Sequence, residues 1–478
     1  MKGHMLLIKS RLRLNTLSLT FLLCAGLSFA VAQAVPPLAS DASSKIDEIV
    51  RKQLASTGVP SASVAVVNDG KIVYLQAYGD ARLDPKSAAK PEMRYSVGSI
   101  SKQFTAAAVL MLQEQGKLSL DDKVSKWVPG LTRGDEVSIR QLLSHTSGYQ
   151  DYAPQDYMVP DWQQTISAQQ IMDRWAKIPL DFDPGTKWQY SNTNYVIAGV
   201  IVEKAGGKPL YELLQERVLT PLQMTSATNT DVKKLPPSDP SGYFRYALGP
   251  LRPAPKEGPG WMYAAGELAM TAEDLAKWNI AVIKQSVLKP ASYHEMETEV
   301  LLNNGVGTRY GLGMSVFSQG GHRWLEHGGE VSGFTAENIV LPDDGIAVVV
   351  LTNQDAVGAA SQIGREIVTM LVKGQAAQSP KQDALVRKTF DDLRRGKIDR
   401  AQFTDNANSY FTDQALADYA ASVGSLGEPA KFEQASVSLR GGMTHRIYVV
   451  GYPQKTLQIN IYEMPDGKFE QFLIFAVE

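Results

Sequence analysis

The sequence predicts an α+β fold in which antiparallel hairpins are combined with helices, followed by a second, smaller α+β domain. Three observations carry this prediction. Two β-branched runs, residues 63–67 and 72–75, flank the turn Asn68-Asp69-Gly70-Lys71, which is a hairpin pattern. A second hairpin pattern joins residues 338–341 to residues 346–351 through the turn at Pro342 to Gly345. The stretch between the two hairpins has mainly helical spacing.

The individual elements follow in chain order. A helix is expected at about residues 46–56, before the first hairpin. Another is expected from Ile100, where Phe104, Ala108 and Met111 recur at helical spacing before the stop at Gly116. A closing helix at about residues 361–372 follows the second hairpin, so residues 35–373 are predicted to form one domain.

Residues 374–380 read Gly-Gln-Ala-Ala-Gln-Ser-Pro, which is the composition of a linker. Residues 381–478 are predicted to form an accessory α+β domain, with helices at 384–395 and 414–423 and strands at 457–462 and 469–475. Helices followed by a curled antiparallel sheet resemble the cystatin-like and nuclear-transport-factor-like folds. We expect this domain to bind or pack rather than to carry chemistry, because no carboxylate cluster stands out in it.

The N-terminus has the pattern of a secretory signal peptide, residues 1–34. Basic residues at positions 2, 9, 11 and 13 precede the apolar run 17–31, and Ala32-Gln33-Ala34 offers small residues for cleavage after Ala34. The run is shorter than the about 20 residues that a membrane span needs, so no stable membrane span is expected. Cys24 lies inside it, and Leu23 before that cysteine disfavours lipidation. A periplasmic or secreted protein is therefore expected.

Composition excludes several classes of function. The 478 residues carry a formal net charge of −2 and are 44% hydrophobic, so a nucleic-acid partner is not expected. Cys24 is the only cysteine, so the mature chain has no thiol nucleophile and no disulfide. No His-Glu-x-x-His spacing is present, and neither a metal nor a cofactor is expected. Oligomeric state cannot be read from the sequence.

The most informative pattern is Ser99-Ile100-Ser101-Lys102 at the start of the apolar helix. Side chains three positions apart share a helix face with Cβ atoms about 5–6 Å apart, so the lysine can take the proton of the serine hydroxyl. Burial and the positive end of the helix both lower a lysine pKa, which favours the neutral amine that a base requires. The alternative is a helix-capping serine with a solvated lysine.

Two further patterns add weight. Tyr190-Ser191-Asn192 precedes an apolar run; such a tyrosine can act as an acid or base if cations lower its pKa, and Asn192 can bind a substrate amide. The alternative is a tyrosine that only packs at the start of a helix.

The other pattern, His327-Gly328-Gly329, lies in a predicted strand. Its glycines would let another backbone segment or a ligand approach closely, and a neighbouring backbone N–H could then serve as an oxyanion donor. A plain glycine bulge is the alternative there.

Together and in this order, the three patterns resemble the serine β-lactamase and penicillin-binding protein superfamily. The resemblance covers roughly residues 45–373 and is closest to the class C β-lactamase-like branch, with its D-aminopeptidases, D-Ala-D-Ala carboxypeptidases and esterases. Residues 142–149 and 264–275 are similar to that branch too. The resemblance implies one antiparallel sheet with flanking helices and a helical subdomain, and an active site between the two.

The resemblance also implies roles for individual residues. Ser99 would be the acylated nucleophile, and Lys102 and Tyr190 would share the proton transfers. Asn192 would position the substrate.

The third pattern departs from the family, which has Lys-Thr-Gly where this chain has His327-Gly328-Gly329. The resemblance implies a substrate-binding strand here, with the backbone N–H groups of Ser99 and Glu330 as the oxyanion hole. A histidine supplies less fixed positive charge than lysine at neutral pH, and the threonine hydroxyl is missing. A β-lactam carboxylate should therefore bind less well.

The predicted function is a secreted serine hydrolase that acts through an acyl-enzyme on peptide, amide or ester substrates, with substrates that contain D-amino acids included. The alternative is a catalytically silent penicillin-recognising or peptidoglycan-binding protein. Aromatic residues in two loops suggest a partly apolar pocket, with plain loop packing equally open; these residues are Tyr152, Tyr157, Trp162, Tyr243, Phe244 and Trp261.

Overall fold

The computed structural model describes residue 38 and residues 40–155, 158–247, 249–375, 380–440, 443–464 and 466–477. The helices are α1 (Ser40–Thr57), α2 (Ser101–Glu114), α3 (Val124–Trp127), α4 (Ile139–Leu143), α5 (Ala168–Trp175), α6 (Asn192–Gly206), α7 (Leu210–Leu214), α8 (Tyr263–Gly266), α9 (Ala272–Ile283), α10 (Pro290–Met296), α11 (Ala359–Gln375), α12 (Pro380–Leu393), α13 (Asp405–Tyr410) and α14 (Asp413–Ser422). The strands are β1 (Ser61–Asn68), β2 (Lys71–Leu83), β3 (Lys86–Ala88), β4 (Tyr95–Ser96), β5 (Thr228–Asn229), β6 (Tyr243–Phe244), β7 (Arg252–Pro253), β8 (Leu268–Met270), β9 (Ser315–Gln319), β10 (His322–Val331), β11 (Phe334–Leu341), β12 (Ile346–Thr352), β13 (Lys431–Arg440), β14 (Met443–Gly451), β15 (Thr456–Glu463) and β16 (Phe469–Val477).

A seven-stranded antiparallel sheet in the order β3-β2-β1-β12-β11-β10-β9 organises the larger part of the chain. Both predicted hairpins belong to it, β1 with β2 and β11 with β12. The two hairpins are neighbours because β1 pairs with β12, although more than 250 residues separate them along the chain. The predicted α+β class is confirmed.

Both faces of this sheet are buried, which explains why its central strands are continuously apolar. Along β1, Val64 and Val66 face the cluster beneath α1 and α11. Ala65 and Val67 face the opposite, larger cluster, which contains α2 and α6. The sheet therefore separates two layers of helices, and the larger core holds the elements that bear the predicted site residues.

Helix α2 lies inside that larger core over most of its length. Its residues from Ser101 to Leu112 are buried, and the Phe104 ring packs against Trp278 with centroids 4.6 Å apart. The helix ends at Glu114, and Gly116 takes the left-handed conformation that ends the turn, with φ +68°. Because α2 is rigidly packed, the turn before it, which carries Ser99, has a fixed position.

The C-terminal residues form a second antiparallel sheet with its own helices and apolar cluster. Strands β13 to β16 make an antiparallel four-stranded sheet in sequential order, and its apolar side packs with α12 to α14 around Phe390, Phe411 and Phe469. Helix α11 continues to Gln375 and α12 begins at Pro380, so helix occupies both ends of the segment predicted as a linker. The domain boundaries themselves stay a prediction.

Among the described residues, no helix combines the length and apolarity needed to cross a bilayer. The predicted signal peptide, residues 1–34 with Cys24, lies outside the described residues.

Candidate active site

Ser99 occupies a 3-10 turn, Gly98–Ile100, that runs directly into α2. Lys102 lies in the first turn of the helix and is fully buried, with 0% of its surface exposed. The geometry is therefore that of a lysine enclosed beside a serine, and not that of a solvated lysine near a helix cap.

The Lys102 amine has three close partners. Its Nζ lies 2.9 Å from Ser99 Oγ, 2.8 Å from Asn192 Oδ1 and 2.8 Å from the carbonyl oxygen of Ala265. The two carbonyl oxygens can only accept hydrogen bonds, so they take both N–H groups of a neutral amine. The remaining lone pair then faces the Ser99 hydroxyl, which is the arrangement that a base requires.

Burial lowers the pKa of Lys102 to about 7, and Asp151 opposes that effect by raising it. The neutral amine is thus well populated at neutral pH. The direction agrees with the expectation from the sequence, and removal of the amine from water is its main cause.

Tyr190 lies in the loop before α6 and completes the group around Ser99. Its hydroxyl hydrogen-bonds with Ser99, and its ring centroid is 5.0 Å from Lys102 Nζ. Burial raises the pKa of Tyr190 and Asp151 raises it further, although the Ser99 bond lowers it. The condition stated from the sequence, a pKa lowered by cations, is therefore not met, because burial of the phenol has the largest effect on its pKa. Tyr190 carries its proton at neutral pH.

Asn192 is the first residue of α6, and its amide bridges Lys102 to a carboxylate that sequence reasoning missed. That carboxylate is Asp151. Its Oδ1 accepts from Asn192 N at 2.8 Å, and its two oxygens lie 3.2 and 3.3 Å from Asn192 Nδ2. The only sequence signal was its position two residues after Tyr149, next to a family-like stretch. The Asn192 amide, expected to bind substrate, thus also holds the lysine.

Strand β10 packs against the Ser99 turn through glycines. A Cβ built on Gly329 would lie 3.3 Å from Ser99 N, and one built on Gly98 would lie 2.7 Å from Glu330 N. Gly98 also has φ +51°, a conformation that favours glycine. The backbone N–H groups of Ser99 and Glu330, expected to form the oxyanion hole, thus lie on two segments that can pack this closely only because Gly98 and Gly329 have no side chain. Gly328 differs, because its nearest neighbours are Ala336 and Glu337 on β11.

His327 is buried on β10 and held in one orientation. Its Nε2 lies 2.9 Å from the Tyr310 hydroxyl, and its Nδ1 lies 2.5 Å from the carbonyl oxygen of Gly328. Since that carbonyl only accepts, Nδ1 carries the proton and Tyr310 donates to Nε2. Burial lowers the pKa of His327 to about 4, and Lys102 lowers it as well. The position that holds a lysine in the family is uncharged here at neutral pH.

His145 supports the loop that carries Tyr190. Its Nδ1 accepts from Ser191 N at 3.1 Å, its carbonyl accepts from Gln189 N, and its ring lies 4.3 Å from that of Tyr190. Burial lowers its pKa well below the ordinary value, so it is neutral. These contacts give His145 a structural role, holding the Tyr190 loop in place.

These groups open into a cavity of about 920 Å³. Ser99, Tyr190, Asn192 and the segment from His327 to Glu330 all line it. The lining also includes apolar side chains, namely Tyr152, Met158, Trp162, Trp188 and Met262, of which Trp188 is 41% exposed.

The aromatic residues that the sequence indicated in the two loops differ in whether they line this cavity. Tyr152 and Trp162 line the cavity, and Trp261 is buried behind them with ring centroids 5.8 Å from each. Tyr243 and Phe244 belong to the small β6–β7 pair and do not line it. Tyr157 lies outside the described residues.

Comparison with known proteins agrees with this geometry. The β-lactamase family model matches residues 46–368. Penicillin-binding protein 4* of Bacillus subtilis strain 168 is 27% identical over 372 residues, which are 75% of this chain and 80% of that protein.

Two solved structures extend the comparison. A D-stereospecific amidohydrolase from Streptomyces sp. is 28% identical with a TM-score of 0.60 and covers 67% of this chain and 97% of its own. An octameric penicillin-binding protein homologue from Pyrococcus abyssi is 22% identical with a TM-score of 0.60. It covers 91% of this chain and 96% of its own, and at this identity it shows the fold alone.

The family match spans more than half of the chain and includes every predicted site residue from Ser99 to Glu330. The chain therefore belongs to the β-lactamase family, within the superfamily of serine β-lactamases and penicillin-binding proteins, and is a serine hydrolase of that type.

Proposed function

We propose that the protein is a secreted hydrolase that cleaves amide, peptide or ester bonds through an acyl-enzyme on Ser99. The observation that carries the proposal is the environment of Lys102, whose two N–H groups are taken by Asn192 Oδ1 and the Ala265 carbonyl. The lone pair is left for the Ser99 hydroxyl, 2.9 Å away. A binding protein without turnover needs no such arrangement.

In the acylation step, Ser99 Oγ bonds to the substrate carbonyl carbon as its proton passes to Lys102 Nζ. The carbonyl oxygen takes the displaced electron pair and accepts hydrogen bonds from the backbone N–H groups of Ser99 and Glu330. When the bond to the leaving group breaks, Tyr190 donates its hydroxyl proton to that group and regains one from Lys102. The raised pKa of Tyr190 favours this donor role over that of a tyrosinate base.

Deacylation repeats the same transfers with water. A water oxygen bonds to the acyl carbon while one of its protons passes through Tyr190 or Lys102. The acyl–Oγ bond then breaks, Ser99 regains its proton, and a carboxylic acid leaves.

The charge of the cavity supports a preference among substrates. No lysine or arginine lines it within the described part of the chain, and His327 is neutral. Five carboxyl-bearing residues do line it: Asp151, Glu257, Glu330, Glu337 and Asp355. Burial raises the pKa of Glu337 to about 8, so the negative charge at neutral pH comes from the others. Such a cavity disfavours a substrate carboxylate and favours a neutral or positively charged group.

Amides, peptides or esters that keep a free amine are therefore the proposed substrates, ahead of β-lactams and of peptides bound through a terminal carboxylate. The similarity to a D-stereospecific amidohydrolase supports the inclusion of D-amino-acid amides. The apolar wall of the cavity supports an apolar side chain on the acyl residue.

Export is part of the proposal and rests on the N-terminal sequence alone. Cell fractionation and the N-terminal mass of the mature protein test it. Cleavage after Ala34 is expected, and an intact N-terminus on cytoplasmic protein would contradict it.

The decisive experiment is intact mass after reaction with an uncharged fluorophosphonate. One adduct is expected on wild-type protein and none on Ser99→Ala. Ser101→Ala is the matched control, because the Ser101 hydroxyl is engaged with Leu268 N at 3.1 Å and should not matter for the adduct. No adduct on folded wild-type protein would favour the silent binding protein instead.

A substrate panel tests the charge preference. D- and L-phenylalanine anilides with a free amine are compared with their N-acetyl and N-succinyl forms and with a chromogenic cephalosporin. The free amines should react fastest and the N-succinyl forms slowest. Cephalosporin hydrolysis within the usual enzymatic range of about 10⁴–10⁸ M⁻¹s⁻¹ would contradict the substrate proposal.

A further inference from the structure

Asp151 is a half-buried carboxylate whose hydrogen bonds are made mainly to Asn192, the neighbour of the catalytic lysine. Besides the Asn192 contacts, its Oδ1 accepts from Ala153 N at 3.1 Å. Every one of these partners donates an N–H, so the ionised carboxylate matches them and a protonated carboxyl would not. Burial nevertheless raises the pKa of Asp151, which shows that the charge is held at a cost.

The contacts fix the Asn192 side chain in one of its two amide orientations. With Nδ2 toward Asp151, Oδ1 faces Lys102 Nζ at 2.8 Å. The flipped amide would place Nδ2 against the N–H groups of the lysine and Oδ1 against the carboxylate, so both contacts would become repulsive. Asp151 thereby decides which atom of Asn192 meets Lys102.

The surroundings of Lys102 make this carboxylate electrostatically distinct. The other titratable groups near the amine are Tyr190 and Tyr195, with ring centroids 5.0 and 5.5 Å from Nζ, and His145 and His327. Burial raises the pKa of both tyrosines and lowers that of both histidines, so all four are uncharged near neutral pH. Among the described residues around the amine, Asp151 is the group that carries charge.

We propose that Asp151 is a positioning residue for the reaction, which acts through Asn192 to orient Lys102 toward Ser99 and to set the pH at which the lysine becomes a base. The proposal rests on the proposed function, because it assigns Asp151 to the same acylation step. No contact with substrate is required of it. Its effect is to hold the lysine proton more tightly than burial alone would.

The sign of the effect is testable. Removal of the negative charge favours the neutral lysine, so the acid limb of the acylation rate should move to lower pH in Asp151→Asn. A shift of about 1 pH unit is expected, the lower end for opposite charges about 4–6 Å apart. The asparagine keeps an acceptor for Asn192 N. The plateau rate at high pH should therefore change by a smaller factor than the rate at pH values on the shifted limb.

The experiment measures the rate of Ser99 phosphonylation by the uncharged fluorophosphonate, read as intact mass, from pH 5 to 9 for wild type, Asp151→Asn, Asp151→Ser and Asp274→Asn. Asp274 is a buried carboxylate near the start of α9 that also accepts a backbone N–H, from Ser226 at 2.7 Å. It does not line the cavity, and its hydrogen bonds do not involve Asn192 or Lys102. Asp274→Asn should keep the wild-type limb, whereas both Asp151 variants should show the downward shift.

Three results overturn the inference. They are wild-type limbs in both Asp151 variants, an equal shift in Asp274→Asn, and loss of fold by circular dichroism in both Asp151 variants, which would make Asp151 a structural residue. Ser99→Ala separates the two proposals. An adduct that persists in it would overturn the proposed function, whereas an adduct lost in it with unmoved Asp151 limbs would overturn only the role of Asp151.

Discussion

Gly329→Ala tests how closely β10 must approach the nucleophile. A Cβ at this position would point at the carbonyl group of Val97, the residue before the Ser99 turn. Val97 cannot easily yield, because its N–H donates to the Leu268 carbonyl at 3.0 Å and its side chain is fully buried. The strand and the turn must therefore separate.

The size of that separation follows from the contacts. The added Cβ would lie 2.9 Å from the Val97 carbonyl carbon, whereas carbon atoms in ordinary contact are about 3.5–4.0 Å apart, so at least about 0.6 Å of movement is needed. Displacements approaching 1 Å in a catalytic group, or loss of one oxyanion donor, cost about 10²-fold or more in rate. Overpacking adds about 1–3 kcal/mol of destabilisation.

We expect Gly329→Ala to react with the fluorophosphonate about 100-fold more slowly than wild type while remaining folded in a thermal melt. Gly328→Ala is the matched control, since its Cβ would lie 3.7 Å from its nearest neighbours, an ordinary contact. It should lose about threefold or less. Equal rates for the two variants would refute the reasoning that close approach at residue 329 builds the oxyanion hole.

Three further outcomes are expected. Because burial lowers the pKa of Lys102 to about 7 and the neutral amine is the base, wild-type acylation should fall as the pH drops through 7, and a pH-independent rate between 5 and 8 would exclude Lys102 as that base. Tyr190→Phe should slow amide hydrolysis by about 10²-fold or more through loss of the proton donor, with little change in the melting temperature; hydrolysis at the wild-type rate would contradict that role. His327→Lys should raise the ratio of cephalosporin to amino-acid anilide hydrolysis, because a cation returns to the place where the family has one, and a ratio equal to or below that of wild type would argue against charge as the reason for the preference.

The linear sequence determined much of this protein. The hairpins were readable because a β-turn pattern between apolar runs is local, and the site residues were readable because each lies in a short motif: Ser99 with Lys102, Tyr190 with Asn192, and His327 with its glycines. The lowered pKa of Lys102 was also foreseeable, since the lysine lies at the start of a helix with a long apolar run, where burial was expected.

Tertiary structure alone decided the rest, because the deciding contacts join distant parts of the chain. Ala265 supplies an acceptor to Lys102 from 163 residues away, and Tyr310 fixes His327 across 17 residues. Asp151, 41 residues from Asn192, had no pattern of its own to mark it. The direction of the Tyr190 pKa shift depended on the fold for the same reason: burial is decided by what packs around the ring and not by the neighbouring residues in the sequence.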